Sequence, residues 1–418
     1  MSQTHPALNT AYFIAAKIAR NKKSTFSSFI IRLATAATIL SVAVMIMAVA
    51  IVQGFKTTIR DKMFIFWGHA QVTLFDPNPS AQIASKPFRK DPALLQQIRS
   101  HKGIQAAYPY IVKPGILKAN NSLEGIKLKG VEADYPLKSN TAIGFEGRPI
   151  QFPDSGYAQE IILSQSTMDR LKLKIGSTVI VVFFDPESEV PPVRKLTVVG
   201  TYHTGMEEID KSFGICDIRL LRRVSNWAAD DISAIQINMT DYKTAQQTGE
   251  DIYQSYLQPP MSVSTIKDIY PFIFSWLDFQ NVNTRIILII MGLVAAINMA
   301  TALLIFILER THMIGVLKAL GMPNAAIQQT FSYHAARIAL KGIIWGTLLG
   351  VGLCLLQQYT HLIQLNENTY YMKAAPIELK WWYVALIDLG TLLFCTLIMI
   401  LPSLIVRKVN IVQALRFR

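Results

Sequence analysis

Residues 29–52 read FIIRLATAATILSVAVMIMAVAIV, an apolar run with a single charge, Arg32, near its start. About 20 such residues cross a ~30 Å hydrocarbon core as a helix. Three further runs of this kind, residues 286–308, 338–356 and 382–404, come only after a long hydrophilic stretch. The reading is a membrane protein of four transmembrane α-helices, one plus three, with a large mixed α+β domain inserted between the first and second spans. The expected divisions are an N-terminal elbow (1–28), the first span (29–53), the domain (54–281) and the second span (282–308). A coupling helix and connection (309–334), the third span (335–358), an outer connection (359–381), the fourth span (382–404) and a tail (405–418) follow. The first run is too long for a signal-peptide core and no small-x-small site follows it, so it is expected to stay as an anchor. Residues 8–20, LNTAYFIAAKIAR, form an amphipathic stretch suited to lying on a membrane surface.

The net charge of +13 raises a nucleic-acid reading, but its placement argues otherwise. Residues 1–54 hold five Lys/Arg and no acid, residues 282–418 hold eleven against four, and the stretch between is nearly balanced at 25 against 24. The excess flanks the spans: Lys17, Arg20, Lys22 and Lys23 before the first, Arg310 and Lys318 after the second, Arg337 and Lys341 at the third, Arg407, Lys408, Arg416 and Arg418 after the fourth. The positive-inside rule then puts both termini and the second-to-third connection in the cytoplasm and the large domain outside. Of three cysteines, Cys354 and Cys395 fall in spans, leaving Cys216 alone in the domain, with no disulfide or Cys-based metal site there.

Within the domain, residues 70–75, 126–131, 178–184, 196–202, 213–218 and 234–239 show the alternation and β-branching of strands. Residues 92–100, 164–171, 219–224 and 242–256 read as helices, with an N-cap offered at Ser164–Ser166. There is no GxxxxGK[ST] loop, GxSxG elbow or HExxH pair, and the scattered histidines form no catalytic constellation. No catalytic, cofactor or metal residue is assigned, and the chain is expected not to be an enzyme.

In the membrane half, Gly342, Gly346 and Gly350 recur every four residues and give one helix face no side chains, which suits close helix packing. Asn298, mid-way along the second span, is expected to hydrogen-bond another helix. Asp388 either reaches the headgroup region or pairs within the bundle. After the second span comes ERTHMIGVLKALGMP, residues 309–323. Its apolar stripe of Ile314, Val316, Leu317 and Leu320, stopped by Gly321, has the shape of a short helix that inserts into a partner's groove; a plain interfacial loop is the alternative.

These residues resemble the hallmark E-K/R-x-x-E-I-G/A-I-L-K/R-A/T-L-G of the FtsX-like permease superfamily of ABC systems. Glu309, Arg310, Ile314, Gly315, Leu317, Lys318, Ala319, Leu320 and Gly321 match, while Met313 stands where the family has a second acid. The end of the chain (Pro402-Ser403-Leu404, then Val412 to Phe417), Gln53-Gly54-Phe55, a loose match at Gly68-His69-Ala70-Gln71-Val72, and Thr197 to Tyr202 with Gly205-Met206-Glu207-Glu208-Ile209-Asp210 are similar to the lipoprotein-releasing LolC/LolE branch. The turn at residues 185–192 is shorter than that branch's hook. Pro186, Val190, Pro191 and Pro192 are its candidate carrier contacts, with an ordinary hairpin turn as the alternative.

The resemblance implies a non-catalytic permease, paired with an identical or paralogous chain and driven by a cytoplasmic LolD-like ATPase dimer that binds ATP and Mg. It implies a lipoprotein substrate, handed to a LolA-like periplasmic carrier. Met45, Met47, Ile51 and Phe55, with Ile286, Ile289 and Ile290, are the candidate acyl contacts, since unbranched Met adapts to varied chains; lipid-facing packing accounts for them equally. The alternative is an FtsX- or MacB-type chain that relays ATPase motion to a cell-wall hydrolase or efflux partner.

Overall fold

The computed structural model describes residues 25–75, 86–136, 144–184 and 190–403. The amphipathic N-terminal stretch, Pro186 and most of the C-terminal motif lie outside these. In chain order the helices are α1 (Thr25–Trp67), α2 (Pro92–Ser100), α3 (Gln165–Leu171), α4 (Glu207–Asp210), α5 (Ile218–Val224), α6 (Ala245–Tyr256), α7 (Ile266–Ile269), α8 (Pro271–Glu309), α9 (Thr311–Ala319), α10 (Asn324–Thr360), α11 (Glu367–Tyr370), α12 (Trp381–Ile398) and α13 (Ile400–Ser403). The strands are β1 (Ala70–Leu74), β2 (Phe88–Arg89), β3 (Ile104–Ala119), β4 (Ser122–Val131), β5 (Gly144–Gly147), β6 (Glu160–Ser164), β7 (Thr178–Phe183), β8 (Val193–His203), β9 (Phe213–Asp217), β10 (Asp231–Ile232), β11 (Ala234–Met239) and β12 (Met261–Thr265).

The chain forms two units. The first holds the apolar helices. Four of them, α1, α8, α10 and α12, are long and apolar enough to cross a membrane. Three outrun their sequence-expected spans. With 43 residues, α1 is about twice as long as the hydrocarbon core is thick. Its helix does not stop near residue 53, because Ile59, Met63, Phe66 and Trp67 continue a buried stripe at helical spacing while Arg60 and Asp61 take the other side. Likewise α8 begins at Pro271, a residue preset for a helix start. The fourth span ends early. Pro402 lacks an N–H and its ring crowds the carbonyl four residues back, at Ile398, where α12 stops.

The second unit comprises residues 57–276 together with Leu365–Lys373 from the connection between the third and fourth spans. A ten-stranded mixed sheet runs β12-β1-β11-β3-β4-β9-β6-β8-β5, with β7 pairing β3 and β8. Pairs β4–β9 and β6–β8 are parallel, the others antiparallel. Six strands, β2, β3, β5, β6, β10 and β12, were not expected, and the longest of them is β3, whose Pro109, Pro114 and Gly115 argue against a strand. It survives because β11 pairs only as far as Tyr110 and β7 only from Gly115, so Pro114 falls between its partners on that edge. The sheet is covered by two apolar layers. One holds Val72, Ile98, Leu117, Val181 and Leu220; the other holds Met63, Phe66, Tyr202, Ile209 and Phe274. Ser164 caps α3, accepting from the Thr167 N–H at 3.1 Å.

His69 ties β1 into this unit. Its ring stacks on Phe64 with centroids 4.0 Å apart, and Nδ1 accepts from the Met239 N–H at 3.1 Å. Burial pushes its pKa down from 6.5 to about 4, against the opposing pull of Asp241. Between those values the unfolded chain binds more protons than the folded one. Stability is therefore full above pH 6.5 and is lost as pH falls toward 4, by about 2 kcal/mol after allowing for partial exposure. His69→Gln, which retains an acceptor, is expected to flatten the acid limb of the melting temperature against pH; an unaltered limb would refute this.

Candidate functional site

Between α8 and α10 the chain makes a short elbow. Arg310 leaves α8 and α9 follows at once, its Ile314 N–H bonding back to the Arg310 carbonyl at 3.0 Å. Ile314 is fully buried against a cluster that includes Leu303, Phe306, Ile307, Ile327 and Phe331. Gly315 is buried beside it, and Met313 and Leu317 are partly so. The other side of α9 faces out, with Val316 40% and Leu320 79% exposed. The apolar stripe expected as one face is thus split: Ile314 and Leu317 anchor the elbow, whereas Val316 and Leu320 are presented.

The stop is built as the sequence requires. Gly321 sits at φ +84°, where a Cβ is strained. Its N–H bonds to the Lys318 carbonyl and the Met322 N–H to that of Leu317, both at 3.0 Å. This is a Schellman end, with Leu317 and Met322 on one apolar cluster. The Arg310 guanidinium lies 5.8 Å from the Phe306 ring centroid, a cation–π contact. Glu309 is exposed and Lys318 half-buried.

The glycines of α10 face α1. A Cβ on Gly342 would lie 2.8 Å from the Thr38 side chain, on Gly346 2.8 Å from Val42 Cβ and 2.9 Å from the Ile39 carbonyl, and on Gly350 3.0 Å from Ala43 Cα. Gly54 is similarly tight, since its Cβ would meet the Pro376 carbonyl at 2.5 Å. The half-buried Asn298 side chain makes no hydrogen bond among the described residues, where one to another helix was expected. Asp388 accepts from Thr347 Oγ1 of α10 at 2.8 Å, so of its two expected alternatives pairing within the bundle is the one seen.

The seven candidate acyl contacts do not share one exposed surface. Ile286, Ile289 and Ile290 are exposed, and Met47, Ile51 and Phe55 are half-buried. Met45 is only 3% exposed and packs with Val42, Ile46, Ile343 and Val384, so it belongs to the interior of the bundle. At the β7–β8 turn Val190 and Pro191 are exposed, while Pro192 is half-buried and its carbonyl accepts from the Phe183 N–H at 2.9 Å.

One polar cluster was not anticipated. Gly205, at φ +72°, lets the Leu365–Lys373 segment come close: a Cβ would lie 2.9 Å from the Tyr371 carbonyl and 3.0 Å from Glu367 Oε1. Lys62 Nζ donates to that carbonyl at 2.6 Å, and His203 Nε2 lies 2.5 Å from Glu367 Oε1. Asp210 accepts from the Thr204 and Gly205 N–H groups and the Thr204 hydroxyl. Burial raises its pKa, opposed by those bonds and by His203. The matching motif residues were legible, but their partners come from a segment some 160 positions away.

More than half of the chain, residues 33–254, matches the MacB-like periplasmic core domain, and residues 285–411 match the FtsX-like permease C-terminal domain. Among curated relatives, the lipoprotein-releasing system transmembrane protein LolC of Neisseria meningitidis serogroup B is 24% identical over 414 residues, covering 95% of this chain and 96% of that one. LolC of Xylella fastidiosa is 22% identical over 417 residues (95% and 96%), and LolE of Haemophilus influenzae 21% over 430 residues (98% and 99%). With the elbow, the core domain and the apolar helices all accounted for, the chain belongs to the FtsX-like permeases that carry a MacB-like core domain.

Proposed function

We propose that this chain is the permease of an ABC transporter that releases lipoproteins from the inner membrane toward a periplasmic carrier. The observation that carries the reading is the elbow: α9 is anchored by buried Ile314 yet presents Val316 and Leu320 outward, as a helix seated in a partner ATPase requires. Relatives named LolC and LolE, matched along nearly the whole chain, supply the substrate class. ATP and Mg are held by that separate ATPase, and a second permease chain, identical or paralogous, completes the complex. The charge pattern supports cytoplasmic termini and a periplasmic core domain. Extracting acyl chains costs about 0.8 kcal/mol per CH₂, tens of kcal/mol for a triacylated protein, which is why hydrolysis is needed. The exposed Val190–Pro191 turn is offered to the carrier, and the exposed isoleucines of α8 to acyl chains.

A second reading is favoured by the MacB-like core domain: a chain that relays ATPase motion to a periplasmic hydrolase or efflux partner and moves no lipoprotein. Depletion of the protein, followed by fractionation of newly made lipoproteins, separates the two. Accumulation in the inner membrane supports release; normal sorting with a cell-wall or efflux defect overturns it.

A further inference from the structure

The last turn of an α-helix leaves four carbonyls without intrahelical donors. In α1 all four are met, and all inside the second unit. The Phe64 carbonyl accepts from the Gly68 N–H at 2.8 Å. That of Ile65 accepts from Tyr135 Oη at 3.3 Å and Gln236 Nε2 at 3.5 Å, that of Phe66 from Lys129 Nζ, and that of Trp67 from Gln71 Nε2 at 3.3 Å. The side-chain donors sit on β1, β4 and β11 and just beyond β4, so the helix end is fastened to separate parts of the sheet. Gly68 admits this closeness. It lies at φ +78°, and a Cβ there would meet Gln236 Cγ and the Ile237 carbonyl, each at 2.7 Å.

Lys129 is the unusual member. It is fully buried, and its Nζ lies 4.7 Å from the ring centroid of Phe66, 5.4 Å from Trp67, 4.8 Å from Tyr110 and 4.9 Å from Tyr135. Three acceptors surround it: the Phe66 carbonyl, Gln236 Oε1 at 2.8 Å and Tyr135 Oη at 3.0 Å. An ammonium has three N–H groups for those three acceptors, a neutral amine only two. Burial by itself pushes the lysine well below its ordinary pKa. Four ring faces and the negative end of the helix dipole act the other way, favouring a cation at this spot.

We infer that Lys129 is the positioning residue of a force-bearing joint: its buried Nζ, bonded to the Phe66 carbonyl, Gln236 and Tyr135, locks the C-terminal turn of α1 to the central strands, so that displacement of α1 is passed to the sheet instead of being absorbed by a hinge. The joint itself stands on geometry alone; that it carries force rests on the proposed transport cycle. Lys129→Met keeps the length and the apolar stem but removes the hydrogen-bonding nitrogen. In the full-length protein, amide exchange at residues 62–68 is expected to quicken at least tenfold, with β8 and β9 as protected as before. In the reconstituted permease–ATPase complex, ATP hydrolysis should persist while lipoprotein released per ATP falls at least tenfold. Should that variant fail to fold, Tyr135→Phe keeps the ring, removes the hydroxyl shared by Ile65 and Lys129, and should show the same two effects more weakly. Unaltered exchange at residues 62–68 overturns the joint. Faster exchange with unaltered release per ATP overturns its role in transmission. Absence of release by the unmutated complex counts against the proposed function only, and the exchange measurement still decides the joint.

Discussion

Substituting Val316 and Leu320 together by Asp is expected to abolish copurification with the ATPase and its stimulation, while leaving the chain folded. Leu320 is 79% and Val316 40% exposed, so the isolated protein loses little packing. If α9 docks as proposed, burying Val and Leu contributes about 1.5–3 kcal/mol each, and a carboxylate forced into the same apolar groove adds a desolvation cost. The sum corresponds to more than a hundredfold in affinity. Position matters here. Ile314 is fully buried and Gly315 lies beside it, so Ile314→Asp or Gly315→Arg would disrupt the elbow itself and report on folding. Retention of the ATPase at its normal ratio by the double variant would exclude α9 as the docking element.

Gly346→Leu should separate α10 from α1. Its Cβ would stand 2.8 Å from Val42 Cβ and 2.9 Å from the Ile39 carbonyl, and helix backbone cannot yield as a flexible side chain does. Overpacking of this kind costs typically ~1–3 kcal/mol, and more where backbone must move. That amounts to a fall of roughly 5 °C in melting temperature for a chain of this size. Gly352 supplies the control, since a Cβ there meets nothing within 4 Å, and Gly352→Leu should leave the melting temperature where it was. Equal effects of the two substitutions would show that the glycine face does not hold these helices together.

Much of this could be read from the residues in order. Gly321 announced the end of α9, the four-residue recurrence of glycine announced a helix face, and clean alternation placed β11 at Ala234–Met239. What escaped has physical causes. The apolar run of the first span ends where Lys56, Arg60, Asp61 and Lys62 begin, and a hydropathy reading stops there although the helix does not. Helices apolar all round carry no signal of which side is buried, so Met45 and Ile286 looked alike. In β4, the alternation Ile126-Lys127-Leu128-Lys129 reads as two outward lysines. Lys127 is indeed exposed, but Lys129 meets the end of α1, an element some 60 positions earlier that no local pattern reveals.

The membership of Leu365–Lys373 in the second unit bears on how that unit can be handled. A soluble fragment cut at Thr57 and Trp276 would leave the nine-residue segment behind, taking Glu367 from His203 and the Tyr371 carbonyl from Lys62. The surface under Gly205 would then be bare, and binding or crystal contacts found there in the excised fragment would belong to the cut and not to the protein. Supplying the segment on a short tether, or adding it as a peptide, restores the native covering.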